Sequence, residues 1–316
     1  MRLSILFCTY ERPALLREAL ATVAAMDGIG AVDLEVVVAD NSDAGTAAET
    51  VAAFAATAPF PVRYVPAHPP NISAARNAAV AAAGGDVLAF LDDDMQVEPG
   101  WLDAVRAGLS ETDCDVLLGP VRPRFEQPER AGPHAVSLFD RELARPTGTR
   151  LWALGPDRVA GFPLATSNSV IRRAALGGDT APFDLALGHA GGEDFDLFAR
   201  LQRRGVKLGY LAEARTTEFV PAHRCDIAYL ARRHYAGAQV YAFCTVKNSD
   251  RPRLTGLVLR LKALAQAAVF ALTFWRLEPD LRRIRKAQIM GKLLWSRLTP
   301  LYRLEDAHLR AISTGT

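Results

Sequence analysis

The chain has 316 residues, half of them apolar and 23% charged, with a formal net charge of +2. It can bury a full core, its charged content is ordinary for a soluble globular protein, and no nucleic-acid partner is expected. The balance is uneven along the chain: from Arg251 onward Lys and Arg outnumber Asp and Glu roughly 13 to 4, which leaves the remainder net acidic and implies different partners for the two parts. Cys8, Cys114, Cys225 and Cys244 show no CxxC spacing, which argues against a zinc site and for a reducing, cytoplasmic setting.

The first elements alternate. Leu3 to Cys8 and Leu34 to Ala39 are β-branched-rich runs of strand length, and between them Pro13 opens a helical pattern through Leu15, Leu16, Ala19, Leu20 and Val23. A helix around Ala47 to Ala56, a strand Val62 to Val65, a helix Ser73 to Ala83, a strand Val87 to Leu91, a helix Gly100 to Leu109 and a strand Asp115 to Gly119 follow. This order predicts an α/β fold with a mainly parallel sheet flanked by helices. Residues 120 to 163, rich in Pro, Gly and Arg, are expected to be a long loop region with little regular structure. Farther on, the run from Leu254 to Leu277 carries Arg260, Lys262 and Arg276. No stretch is expected to reach spanning length without charge, and the uncharged Ala263 to Trp275 is too short to cross a bilayer.

In open sheets of this kind ligands sit beyond the carboxyl ends of the strands. Thr9, Tyr10, Glu11 and Arg12 follow the first strand, Asp40, Asn41 and Ser42 the second, and Asp92, Asp93 and Asp94 the fourth. Three adjacent carboxylates repel one another, and a divalent cation shared with substrate phosphates turns that cost into a gain; an acidic solvated turn is the alternative. Asp40 equally suits a turn-former's role. Asn71, Arg76 and Asn77 cluster at the start of an alanine-dominated helix, where a guanidinium suits a phosphate or carboxylate, or merely solvates the helix. Gly191, Gly192, Glu193 and Asp194 precede the amphipathic pattern Phe195, Leu197, Phe198, Leu201. Acids there suit a helix start, and the glycines permit close approach of a ligand, the disposition of a general base. His189 and His223 stand alone.

Taken in order, Cys8-Thr9-Tyr10-Glu11-Arg12-Pro13, Asp40-Asn41-Ser42, Asn71 with Ala75-Arg76-Asn77, Phe90-Leu91-Asp92-Asp93-Asp94, Thr166-Ser167-Asn168 with Arg172-Arg173, and Gly191-Gly192-Glu193-Asp194 resemble the family 2 glycosyltransferases with the GT-A fold. Details from Gly191 to Leu201, Glu218-Phe219-Val220-Pro221 and Arg232-Arg233 resemble the exopolysaccharide branch typified by succinoglycan glucosyltransferases. The resemblance implies a GT-A (Rossmann-like) catalytic domain over residues 1–245, with a nucleotide-binding half to about 119 and an acceptor-binding half from 120, and a basic helical C-terminal extension over 246–316. It also implies inverting transfer of a hexose from a nucleotide sugar, UDP-glucose or a related UDP-sugar, to a glycan or lipid-linked glycan acceptor in surface polysaccharide biosynthesis.

By that resemblance Thr9, Tyr10, Glu11 and Arg12 frame the nucleoside, Asp40 accepts the uracil imide hydrogen, and Asn71, Arg76 and Asp92 belong to the nucleotide site. Asp93 binds ribose, Asp94 holds Mn2+ or Mg2+, Asp194 is the base, and Asn168, Gly192 and Glu193 face the sugars. Where relatives commonly place a metal-completing His, this chain has Glu218, expected to be a metal ligand or to orient one, with His223 on the rim. Transfer to polyprenyl phosphate or to a protein, or a catalytically silent sugar-nucleotide binder, are the alternatives. The basic amphipathic segment 254–298 suits the anionic inner face of the cell membrane, a packed helix or an oligomer contact.

Overall fold

A computed structural model describes residues 1–155, 157–158 and 162–300; residues 301–316 of the expected extension lie outside it. In chain order the elements are β1 (Arg2–Thr9), α1 (Pro13–Ala24), β2 (Asp33–Asp40), α2 (Ala48–Ala55), β3 (Val62–Pro66), α3 (Ile72–Ala82), β4 (Val87–Asp92), β5 (Met95–Val97), α4 (Trp101–Glu111) and β6 (Val116–Leu118). Then come β7 (Val121–Phe125), α5 (Pro133–Phe139), β8 (Ser169–Arg172), α6 (Glu193–Arg203), β9 (Leu208–Tyr210), β10 (Thr216–Val220), α7 (Ile227–Lys247), α8 (Pro252–Thr273) and α9 (Pro279–Leu293).

Seven strands form one sheet in the order β3-β2-β1-β4-β8-β6-β9, and β5-β10-β7 form a small second one. β1 to β4 pair in parallel, and β8 runs antiparallel to both β4 and β6. Alternation along the strands sends side chains to opposite faces, and both faces are covered. Leu3, Ile5 and Phe7 of β1 pack with Leu16, Leu20, Trp101 and Val105 of α1 and α4. Leu6 of β1 packs with Ala75 and Ala79 of α3 and with Leu197, Phe198 and Leu201 of α6. The helices arise locally as expected: Pro13 sits in the first turn of α1, whose buried face is Leu16, Ala19, Leu20 and Val23, and the Asn71 side chain caps α3 through the Ala74 N–H at 3.2 Å.

One expectation is corrected and another is refined. Within 120–163, β7 pairs with β10 and α5 packs Ala135 and Phe139 against Val220; the Pro and Arg content hid a strand whose outward positions are polar because it lies at the edge of a three-stranded sheet. In addition, Pro252–Arg276 forms one helix that by length and composition is apolar enough to cross a membrane, with only 6% of its most apolar window buried. Arg260 and Lys262 interrupt its sequence without interrupting its helix, since straight-chain cations are good helix formers.

Candidate active site

β1 lies between β2 and β4, so the connections leaving its carboxyl end diverge, and an open sheet binds ligands at such a switch point. Cys8 stands opposite Asp92 in the β1–β4 register, which sets the polar run Thr9 to Arg12 beside the Asp triplet. A cavity of about 1310 Å³ opens there. Its lining includes Thr9, Tyr10, Glu11, Arg12, Asn41, Asn71, Arg76, Asp92, Asp93, Asp94, Gly192, Asp194 and Glu218, together with residues of α7, α8 and α9. Side chains as far apart in sequence as Thr9 and Lys292 therefore share one space.

The donor end is tightly bonded. Thr9 Oγ1 donates to Asp93 Oδ2 at 2.8 Å, and Arg12 reaches Asp93 at 3.4 Å and Asp94 at 3.3 Å. Burial holds the Asp94 carboxyl well above the usual carboxylate range, Glu218, Asp93 and Asp92 push the same way, and Arg12 offsets only part. Carboxyls crowded together out of water in this way mark a place short of positive charge, which a divalent cation would supply. Among the described residues no three His, Cys, Asp or Glu side chains converge to enclose an ion. Mg2+ or Mn2+ held by one or two carboxylates and otherwise by substrate phosphates asks for no more than that, so the donor set fits such an ion. Cys8, half-buried in the cavity wall, has its thiol pushed up to about 12, chiefly by burial, which keeps it from acting as a thiolate.

Helix α6 is tied to this end through Arg76. Its guanidinium donates to Glu193 and lies 3.9 Å from Asp92. Glu193 is raised to about 7: burial raises it, Arg76 lowers it, and neighbouring Asp194 raises it further. Asp194, one residue on, lines the cavity in the first turn of α6, where the helix dipole favours a negative charge; its Oδ1 accepts the Phe195 N–H at 2.7 Å. Gly191 and Gly192 precede it at φ 81° and 94°, and a Cβ on Gly192 would collide with Val240 of α7. Glycine is thus required there both by conformation and by a neighbouring helix.

Three sequence-derived assignments meet different employment. Asp40 is buried, and its two oxygens accept from Ser42 N and Oγ at 2.9 and 2.7 Å, Ala47 N at 2.8 Å and Tyr64 Oη at 3.1 Å. With its acceptor capacity used in the turn, it does not line the cavity, whereas the adjacent Asn41 does. Asn168 adopts φ 54°; its amide donates to Pro120 O at 2.8 Å and Ala214 O at 2.7 Å and accepts from Trp101 Nε1 at 2.9 Å. It is a buried clamp rather than a sugar contact. Glu193 likewise faces Arg76 inside the protein, not a sugar. Glu218, expected to be a metal ligand or to orient one, lines the cleft; its carboxylate accepts from Arg141 and lies 3.9 Å from Arg224.

His189 lines the cavity, while His223, expected on the rim, packs edge-on against Tyr229 and its neighbour Arg224 lines the cavity instead. Asn77 pins the chain at Phe183 by two bonds of 2.9 Å. Sequence reading missed Arg141, which also donates to Ser167 Oγ at 2.8 Å, and the cleft contributions of Arg158, Lys262 and Lys292. None of these belongs to a contiguous motif; the only signal was the Arg content of 120–163 and the basic C-terminal bias.

The family model for glycosyl transferase family 2 matches residues 4–176, the sheet from β1 through β8. The chain is 34% identical over 241 residues to the succinoglycan biosynthesis protein ExoM of Rhizobium meliloti (strain 1021), which covers 76% of this chain and 74% of that protein. It is 27% identical over 186 residues to the pre-mycofactocin glycosyltransferase of Mycobacterium tuberculosis (strain CDC 1551 / Oshkosh), over 58% of this chain and 37% of that one. Among solved structures, S. aureus TarS 1-349 in complex with UDP-GlcNAc superposes with a TM-score of 0.57 at 16% identity, covering 93% of this chain and 82% of that chain. Mannosyltransferase PcManGT from Pyrobaculum calidifontis, in complex with GDP-Man and Mn2+, gives 0.56 at 18% identity over 94% and 88%. The fold shared with these two is GT-A. On the extent of the family match and of the ExoM identity, the chain belongs to glycosyl transferase family 2.

Proposed function

We propose that the chain is a metal-dependent, inverting hexosyltransferase of exopolysaccharide biosynthesis, moving a hexose from UDP-glucose or a related UDP-sugar to a glycan or lipid-linked glycan acceptor. The observation that carries the reading is the single cleft that gathers Thr9 to Arg12, Asp92 to Asp94 and Asp194. In this reading residues 1–245 are the catalytic domain, with donor contacts before about 119 and acceptor contacts after it.

Thr9, Tyr10, Glu11 and Arg12 frame the base and ribose with Asn41 and Asn71 beside them, and Asp93, oriented by Thr9, faces the ribose. Asp94, with Asp92, would hold a divalent cation, which would supply positive charge beside the departing diphosphate. Arg76 fixes the distance between Asp92 and the first turn of α6. Asp194 takes the proton of an acceptor hydroxyl as that oxygen bonds to the anomeric carbon, the bond from that carbon to the diphosphate oxygen breaks, and the electron pair leaves with UDP. Attack opposite the leaving group inverts the configuration.

UDP release from UDP-glucose, measured with Mn2+ or Mg2+ and with or without a glycan acceptor, tests the reaction. Acceptor-stimulated release that Asp194→Asn abolishes while UDP still binds supports it; full transfer by that variant refutes it.

A further inference from the structure

Sorting the cavity lining by charge separates its two ends. The carboxylates that line it, Glu11, Asp92, Asp93, Asp94, Asp194 and Glu218, all come from the sheet side and the start of α6. The wall built by α7, α8 and α9 contributes no carboxylate among the described residues, but brings Lys262 and Lys292, and Arg158 joins them. Lys292 Nζ donates to Gln266 at 2.9 Å, and Arg158 stacks 4.6 Å from the Tyr241 ring centroid. Burial first, then the like charges of Arg158 and Arg285, lowers the Lys292 ammonium below its ordinary range. Cations gathered this way form a receptor for phosphate.

α8 is built the wrong way round for a helix of a water-facing protein. Leu259, Lys262 and Gln266 face the cleft, and at 3.6 residues per turn Leu254, Leu257, Leu261, Leu264 and Leu272 fall on the opposite side, each at least 51% exposed. A polar inner face and an apolar outer one call for an apolar occupant outside. α9, packed beside it, exposes Arg283, Arg285 and Lys286. That charge attracts an anionic lipid surface and repels a second copy presenting the same face. Crossing the membrane would carry the charges of Arg260 and Lys262 into hydrocarbon, where they are costly, and would pull Lys262 from the cleft.

We propose that α8 is a two-faced wall: its outer leucine row rests in the interface of an anionic lipid surface, and its inner face, with Lys262, Lys292 and Arg158, is a subsite for the phosphate or diphosphate of a lipid-borne acceptor. The glycan of that acceptor extends along the cleft toward Asp194. The inference rests on the lipid-linked acceptor named above and assigns where its phosphate is held.

The test uses the full chain. UDP binding is measured first by calorimetry; its absence overturns the donor reading, and the lipid-phosphate titration is run either way. Dodecyl diphosphate, dodecyl glucoside and inorganic pyrophosphate are then titrated in the presence of UDP. The expected result is tight binding of the first, with a loss of about tenfold or more in Lys262→Gln/Lys292→Gln, as removal of charge-assisted bonds to phosphate predicts, while the glucoside and UDP affinities hold. Equal affinity in the variant, or pyrophosphate binding as tightly as the alkyl diphosphate, overturns the subsite. In flotation, phosphatidylglycerol-rich vesicles carry the wild type, and Leu257→Glu/Leu261→Glu is left behind. Unchanged flotation of that variant, or a wild-type dimer that it splits in sedimentation, overturns the outer-face assignment.

Discussion

The two ends of the cleft are built differently. At the end beside the Asp triplet, buried carboxylates are held by short-range bonds, Asp93 by Thr9 and Arg12 and Asp94 by Arg12. At the α7–α9 end, cations line an open wall, with Lys262 exposed and Arg158 resting on an aromatic ring. That end, which the proposed reading gives to the donor, is preorganised, as leaving-group stabilisation would demand. The other wall trades rigidity for access, which suits a large acceptor arriving from outside. Arg76, between Asp92 and Glu193, is the strut that keeps the acid end in register with the base.

The largest expected effect isolates chemistry from binding: Asp194→Asn should lower kcat by roughly 10² to 10⁴ or more while calorimetry finds UDP affinity intact. A parallel loss of both would mean that the base and donor ends are not separable. Next, Asn168→Ala should destabilise the fold by about 2 to 4 kcal/mol in urea unfolding, because it takes the bonding partner from Trp101 Nε1 and from the Ala214 carbonyl inside the protein. A selective rise in donor KM with unchanged stability would instead restore its sugar-contact assignment. Asp94→Asn, or chelation of the wild type, should weaken UDP binding in Mn2+ by about tenfold or more, one charge-assisted interaction's worth; metal-independent UDP affinity would break the cation reading.

A subtler effect concerns Glu193. Its folded-state pKa of about 7 lies above the ordinary 4.5, so between those values the unfolded chain loses its proton first, and this group's contribution to stability falls as pH rises. The melting temperature of Glu193→Gln relative to wild type should therefore climb from about pH 4.5 to pH 7 and level off above that; a flat difference would show Glu193 ionised throughout by Arg76. The smallest effect is a control far from the cleft: the exposed Asp103–Arg106 pair at 2.9 Å should change stability by less than about 0.5 kcal/mol on Arg106→Ala.

The donor end was readable because its polar residues are contiguous and sit where strands end. Thr9 to Arg12 and Asp92 to Asp94 follow apolar runs whose length alone marks β1 and β4, and the parallel register sets the two runs side by side. The same logic failed for Asp40 and Asn168, since a motif names the residue but not which of its neighbours will consume its hydrogen-bonding capacity. It failed again for Arg141, whose position depends on β7 pairing with β10 across about a hundred residues, a contact that no local pattern announces.

Sequence alone determined the alternating elements, the two-sided burial of the sheet, the glycines before Asp194 and the basic bias of the C-terminal segment, because periodicity, backbone conformation and charge are properties of neighbouring residues. Tertiary structure decided which carboxylates face solvent and which are spent inside, that Glu218 answers Arg141 and Arg224, and that α8 turns Lys262 toward the cleft and its leucines outward. Those outcomes follow from packing, which fixes distances between side chains that the chain order leaves free.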